Sequence, residues 1–81
     1  MDLGYLKDLL SCGREVEFVF ASRHYTVKRV LFASTTEYAF GQKWGDKVTS
    51  SYFDELFYRR IDGYSLSEML QRVSSNQIYI Y

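Results

Sequence analysis

Arg14-Glu15-Val16-Glu17-Phe18-Val19-Phe20 is the stretch that decides the fold class of this chain. Val16, Phe18 and Phe20 fall on one side of it, and Glu15, Glu17 and Val19 on the other. A side-chain period of two, carried by β-branched and aromatic residues, is the pattern of a strand with one buried face. After the polar link Ala21-Ser22-Arg23-His24 a second run returns from Tyr25 to Phe32, so the pair reads as the nucleus of a small antiparallel sheet. In that run Tyr25 and Val27 share a face, while Val30 and Phe32 are one residue out of phase with them. Either both faces are partly covered there, or a bulge near Lys28-Arg29 resets the register.

Upstream of the hairpin, Asp2 to Ser11 reads as a short amphipathic helix. Asp2 is placed as its N-cap, Leu3, Leu6 and Leu10 lie at helical spacing with Leu9 beside them, and Gly13 is a natural stop. Downstream, Ala33 to Thr36 reads as a turn and Glu37 to Gly41 as a third strand with Tyr38 and Phe40 on one face. The segment from Gln42 to Asp46 reads as a loop into a short fourth strand around Lys47-Val48-Thr49. Trp44 in that loop either caps the open edge of the core or stands exposed as a binding anchor, since Trp is enriched among interface hot spots.

The period then turns helical. Ser50 or Ser51 can cap a helix from Tyr52 to about Arg59, with Asp54 and Glu55 favourably placed in its first turn. Ile61-Asp62-Gly63 is a tight break, and Ser65-Leu66-Ser67-Glu68 matches the capping box that starts a helix, with Leu66, Met69, Leu70 and Val73 as its stripe. Gln77 to Tyr81 alternates as a last strand, adding Ile78 and Ile80 to one face of the sheet and Tyr79 and Tyr81 to the other. The expected architecture is α+β: residues 1–81 as a single small two-layer domain, with an antiparallel sheet of four or five strands packed against two or three short helices.

Composition agrees with that size. Eighty-one residues lie near the lower limit for a self-sufficient core, but six Phe, eight Tyr and one Trp supply rings that each bury roughly 150–250 Å². Ten basic and ten acidic residues cancel, which argues against a general nucleic-acid binder. Between Phe18 and Thr36 there is no acid, so Arg23, His24, Lys28 and Arg29 form at most a local basic patch. A lone Cys12 excludes an internal disulfide and argues for a reducing compartment. With no visible signal peptide and no apolar run of about 20 residues, the expectation is a cytoplasmic, soluble protein without membrane association.

The chemistry-bearing residues do not assemble into a recognisable active site. His24 is the single histidine, and no nucleophile motif accompanies it. One His and one Cys cannot furnish a structural zinc site, and the five glycines form neither a P-loop nor a dinucleotide fingerprint. Glu15 and Glu17 share a strand face and can pair as acid and base, but alternating strand charges ordinarily face water. The expectation is therefore a non-enzyme with no catalytic residue, metal or cofactor. Tyr25, Tyr38, Tyr79, Tyr81 and Trp44, with Arg23, His24, Lys28 and Arg29, are the candidate partner-binding residues. Tyr-rich, charge-balanced surfaces suit protein–protein contact.

Gly13-Arg14-Glu15-Val16-Glu17-Phe18, the Arg23–Val27 return strand, Ile61-Asp62-Gly63-Tyr64-Ser65-Leu66-Ser67-Glu68 and the Ile78–Tyr81 tail together resemble a group of short uncharacterised proteins of Gram-positive bacteria and their prophages. The resemblance spans most of the chain but not Tyr38–Thr49, and it implies a phage or mobile-element origin. Small folded proteins of such origin often bind and block a host protein, for example a defence system. The leading expectation is thus a protein-interaction module directed at a bacterial protein. The alternatives are a small nucleic-acid-associated protein using the Arg23–Arg29 patch, and a self-associating protein whose C-terminal strand or other exposed edge pairs between copies as a homodimer.

Overall fold

The computed structural model describes the backbone of all 81 residues and every side chain except that of Phe32. Five strands make one antiparallel sheet: β1 (Val16–Phe20), β2 (Arg23–Phe32), β3 (Thr35–Gln42), β4 (Lys47–Ser50) and β7 (Ile78–Ile80). Their order is β4-β3-β2-β1-β7, a meander whose free side of β1 is closed by the last strand of the chain. Helices α1 (Leu3–Ser11), α2 (Phe53–Leu56) and α3 (Leu66–Arg72) and a small hairpin, β5 (Arg60–Ile61) with β6 (Tyr64–Ser65), complete an α+β fold. Among the described residues no helix is long and apolar enough to cross a membrane.

The alternation of β1 fixes which face is covered. Val16 lies opposite Val27 and Phe18 opposite Tyr25, and Val27 is in turn opposite Phe40. These side chains meet Leu6, Leu9 and Leu10 of α1, Phe53 and Leu56 of α2, and Leu66, Met69 and Leu70 of α3 in one core. All helices therefore cover one face, and the other stays open. The caps follow the sequence: Asp2 accepts from the Tyr5 amide at 3.2 Å, and Ser65 accepts from the Glu68 amide at 3.2 Å.

Several boundaries differ from the expectation, each for a local reason. The link between β1 and β2 is only Ala21-Ser22, both at positive φ (51° and 62°), and Phe20 already pairs with Arg23. Left-handed backbone at both central residues is what a tight hairpin turn requires, although Asn and Gly are its usual occupants. Arg23 and His24 thus belong to β2. No bulge interrupts Lys28-Arg29, since the β2–β3 register runs unbroken from Tyr25–Gln42 to Phe32–Thr35. Val30 lies on the open face, while the expectation for the Phe32 side chain falls outside the described residues. The helix expected from Tyr52 to Arg59 is a single turn, Phe53–Leu56. Its start is held by Ser50, which accepts from the Tyr52 amide and donates to Glu55 at 2.5 Å.

One aromatic expectation is corrected by burial. Tyr25 is only 1% exposed and stacks on Phe18 with ring centroids 5.6 Å apart, so it is a core residue rather than a surface anchor. Its hydroxyl donates to Asp62 at 2.7 Å, which ties the sheet to the β5–β6 turn. Tyr38 is half-buried and packs edge-on against Phe53.

Asp62 also accepts from Gln42 at 2.7 Å and pairs with Arg23 at 3.3 Å. The hydrogen bond from Tyr25, then that from Gln42, with Arg23 adding, hold its carboxyl below the usual aspartate range. A depressed folded-state value stabilises the fold fully above the ordinary aspartate titration, and this contribution is lost as pH falls through the depressed value. Urea unfolding at neutral and acid pH should therefore show a steeper acid loss for the native chain than for Asp62→Asn. Tyr25→Phe should lower stability at neutral pH, because it removes a charge-assisted hydrogen bond to Asp62. Equal acid slopes for the native chain and Asp62→Asn would show that the turn is not held by this carboxylate.

Candidate functional site

The open face of the sheet is built by the same alternation that makes the core. Glu15 and Glu17 of β1 stand on it, with Tyr81 and Tyr79 opposite them across β7 and with Thr26 of β2 opposite Glu17. At the end of β3 the Lys43 amide donates to the His24 carbonyl at 2.9 Å, continuing the ladder one residue and bringing Lys43 to the same face.

From there the Lys43 ammonium reaches across the sheet to Glu17, 2.6 Å away. Glu15 is engaged separately, accepting from the Thr26 hydroxyl at 2.8 Å. Glu17 is 8% exposed, and its hydrogen bond is the main reason the Lys43 ammonium is held above the ordinary lysine value. The Tyr81 phenol is likewise raised, first by hydrogen bonding to Glu17 and then by burial. Together Glu15, Glu17, Lys43 and Tyr81 line a cleft of about 350 Å³. Because each carboxylate already has a donor, the cleft is a preformed polar surface.

Trp44 follows Lys43 and is 79% exposed, so it does not cap the core. It is nonetheless held. The His24 ring meets it edge-on at 5.4 Å, and the Lys43 ammonium lies 5.3 Å from the centre of its ring. The Lys47 ammonium donates to the carbonyls of Lys43 and Gly45, each at 3.2 Å, pinning the loop that carries it. Gly41 allows the loop to close: a Cβ there would overlap the Asp46 carbonyl and lie 2.7 Å from Lys47 Cα.

The four basic candidates do not come together. Arg23 and Arg29 lie on the covered face, where Arg23 pairs with Asp62 and Arg29 donates to the Ser11 carbonyl at 3.3 Å. His24 and Lys28 lie on the open face. Of the aromatic candidates, Tyr79, Tyr81 and Trp44 are exposed on or beside the open face, whereas Tyr25 and Tyr38 are not. Lys43, Glu17 and Thr26 were not singled out by sequence as partners. Lys43 and Glu17 are 26 positions apart, and only the β1–β2–β3 register brings them together. Among the described residues no group of three or more His, Cys, Asp or Glu could hold a metal ion. No protein-family model, curated protein or solved structure matches the chain.

In a Glu17→Gln variant the Lys43 ammonium and the Tyr81 phenol should both titrate lower than in the native chain, because the carboxylate that favours their protonated forms is gone. NMR titration of the Tyr81 ring and the Lys43 ε-methylene reads this directly. Unchanged titrations would mean the three groups are not engaged in solution.

Proposed function

We propose that this chain is a non-enzymatic protein-interaction module that docks a bacterial host protein through the open face of its sheet. The observation that carries this reading is Trp44: a large aromatic, exposed to solvent yet held by His24, Lys43 and the pinned loop. A side chain ordered before binding loses little entropy on binding, which is why rigid aromatic anchors dominate interface energetics. The Glu17–Lys43 pair and the phenols of Tyr79 and Tyr81 extend the surface with oriented polar groups suited to a protein partner. The resemblance to short Gram-positive and prophage proteins supports the further reading that the module inhibits or modulates a host enzyme. A nucleic-acid partner is less well supported, since Arg23 and Arg29 lie on the opposite face from His24 and Lys28.

Affinity capture of the tagged chain from a Gram-positive lysate, with and without nuclease, tests the reading. One stoichiometric protein should be retained after nuclease treatment. Its affinity for purified Trp44→Ala should drop at least about tenfold while the circular dichroism of the variant stays native. Capture that depends on nucleic acid, or a Trp44→Ala variant that binds as tightly as the native chain, would overturn it.

A further inference from the structure

The two edges of the sheet are finished differently. β4 carries Lys47, a charge of the kind that discourages edge pairing. β7 carries none, and the whole run Ser74-Ser75-Asn76-Gln77-Ile78-Tyr79-Ile80-Tyr81 has no charged side chain. Tyr81 and Glu15 exchange both backbone bonds, at 2.8 and 3.2 Å. In an antiparallel ladder bonded and non-bonded pairs alternate, so Tyr79 and Tyr81 turn their backbone groups toward β1 and Ile78 and Ile80 turn theirs outward. The Ile78 amide is used by the Ser75 carbonyl in the preceding 3-10 turn. The Ile80 amide and the carbonyls of Ile78 and Ile80 remain at the free edge. Beside it, on the helix-covered face, lies a groove of about 250 Å³ lined by Met1, Tyr5, Ser75, Ile78 and Ile80.

We propose that β7 pairs antiparallel with β7 of a second copy, about a two-fold axis at Tyr79, to make a homodimer with a continuous ten-stranded sheet. The occupant is set by self-complementarity. Ile78-Tyr79-Ile80 reads the same in both directions, so an axis at Tyr79 places Ile80 opposite Ile78 of the second copy. That register points each free Ile80 amide at the free Ile78 carbonyl across the seam, and it brings no like charges together. The isoleucines of each copy stand on the groove side, where they cover the apolar walls contributed by Met1 and Tyr5. The seam uses the backbone edge of β7 and the groove on the helix-covered face, so the dimer leaves Trp44 on the open-face side free and turns both open faces the same way. With only a three-residue strand and one groove per copy the contact is small, and a reversible, concentration-dependent dimer is the expected form.

Light scattering on the purified chain, between about 10 μM and about 1 mM, should show the mass rising from 9.6 kDa toward twice that value. Amide hydrogen exchange locates the seam. Protection of Ile80 should rise with concentration, while that of Tyr79 and Tyr81, already bonded to β1, should not. Ile80→Lys should weaken association at least about tenfold by placing a charge at the seam. Ile80→Pro removes the outward amide without touching the β1 ladder, and it should do the same in a chain that retains its native circular dichroism. A chain that stays monomeric throughout, or a dimer whose association and Ile80 exchange ignore both variants, would overturn the proposal. Neither result bears on Trp44 docking, which is measured with a different protein and a different variant.

Discussion

Tyr25 is the residue on which the architecture depends. Its ring lies in the sheet core, stacked on Phe18 and near Phe20 and Phe40, and its hydroxyl leaves that core at the one place where a carboxylate waits. Burying a tyrosine without a partner for its hydroxyl would cost more than the ring gains at its margin, so the bond to Asp62 is a condition of the packing. Asp62 sits in the left-handed turn between β5 and β6, at φ 56° with Gly63 at 87°. The bond thereby fixes the hairpin over one end of the sheet and sets where the Ser65 cap begins α3. Sheet and helix layer are joined through this hydroxyl, and through the Gln42 and Arg23 bonds to the same carboxylate, as well as through apolar contact.

Because every helix packs on the Tyr25 side, the opposite face has no cover among the described residues, and its polar residues satisfy one another. Glu17 does so with Lys43, and Glu15 with Thr26. A network of this kind gives little net stability in a half-exposed setting, but it holds side chains in place. The outcome is an ordered polar surface that carries the exposed Trp44 and is bordered by the neutral β7 edge. The proposed docking of a host protein uses the open face around Trp44, and the proposed pairing of copies uses the backbone edge of β7 beside that face.

How much of this was legible beforehand depends on the distance over which each feature is decided. The capping box at Ser65 and Glu68 and the Asp2 cap were readable because a cap is satisfied within one helical turn. The assignment of Ile78 and Ile80 to one face and Tyr79 and Tyr81 to the other followed from the pleat alone. The split of the basic patch was implicit in the same alternation, which puts Arg23 and Arg29 on one face and His24 and Lys28 on the other. The Ala21-Ser22 turn was not readable, since neither residue favours positive φ and only the pairing of Phe20 with Arg23 holds them there.

By itself the sequence determined the α+β class, the antiparallel hairpin at its centre, the caps of α1 and α3, and the sidedness of β1, β3 and β7. These follow from a period of two or of 3.6 and from bonds that close within a few residues. Tertiary structure alone decided that Tyr25 is buried and Trp44 exposed, that Lys43 finds Glu17, and that Asp62 receives Tyr25. Each of those depends on which strands become neighbours and which face the helices cover. An aromatic or charged side chain carries no local mark of what will be set across from it.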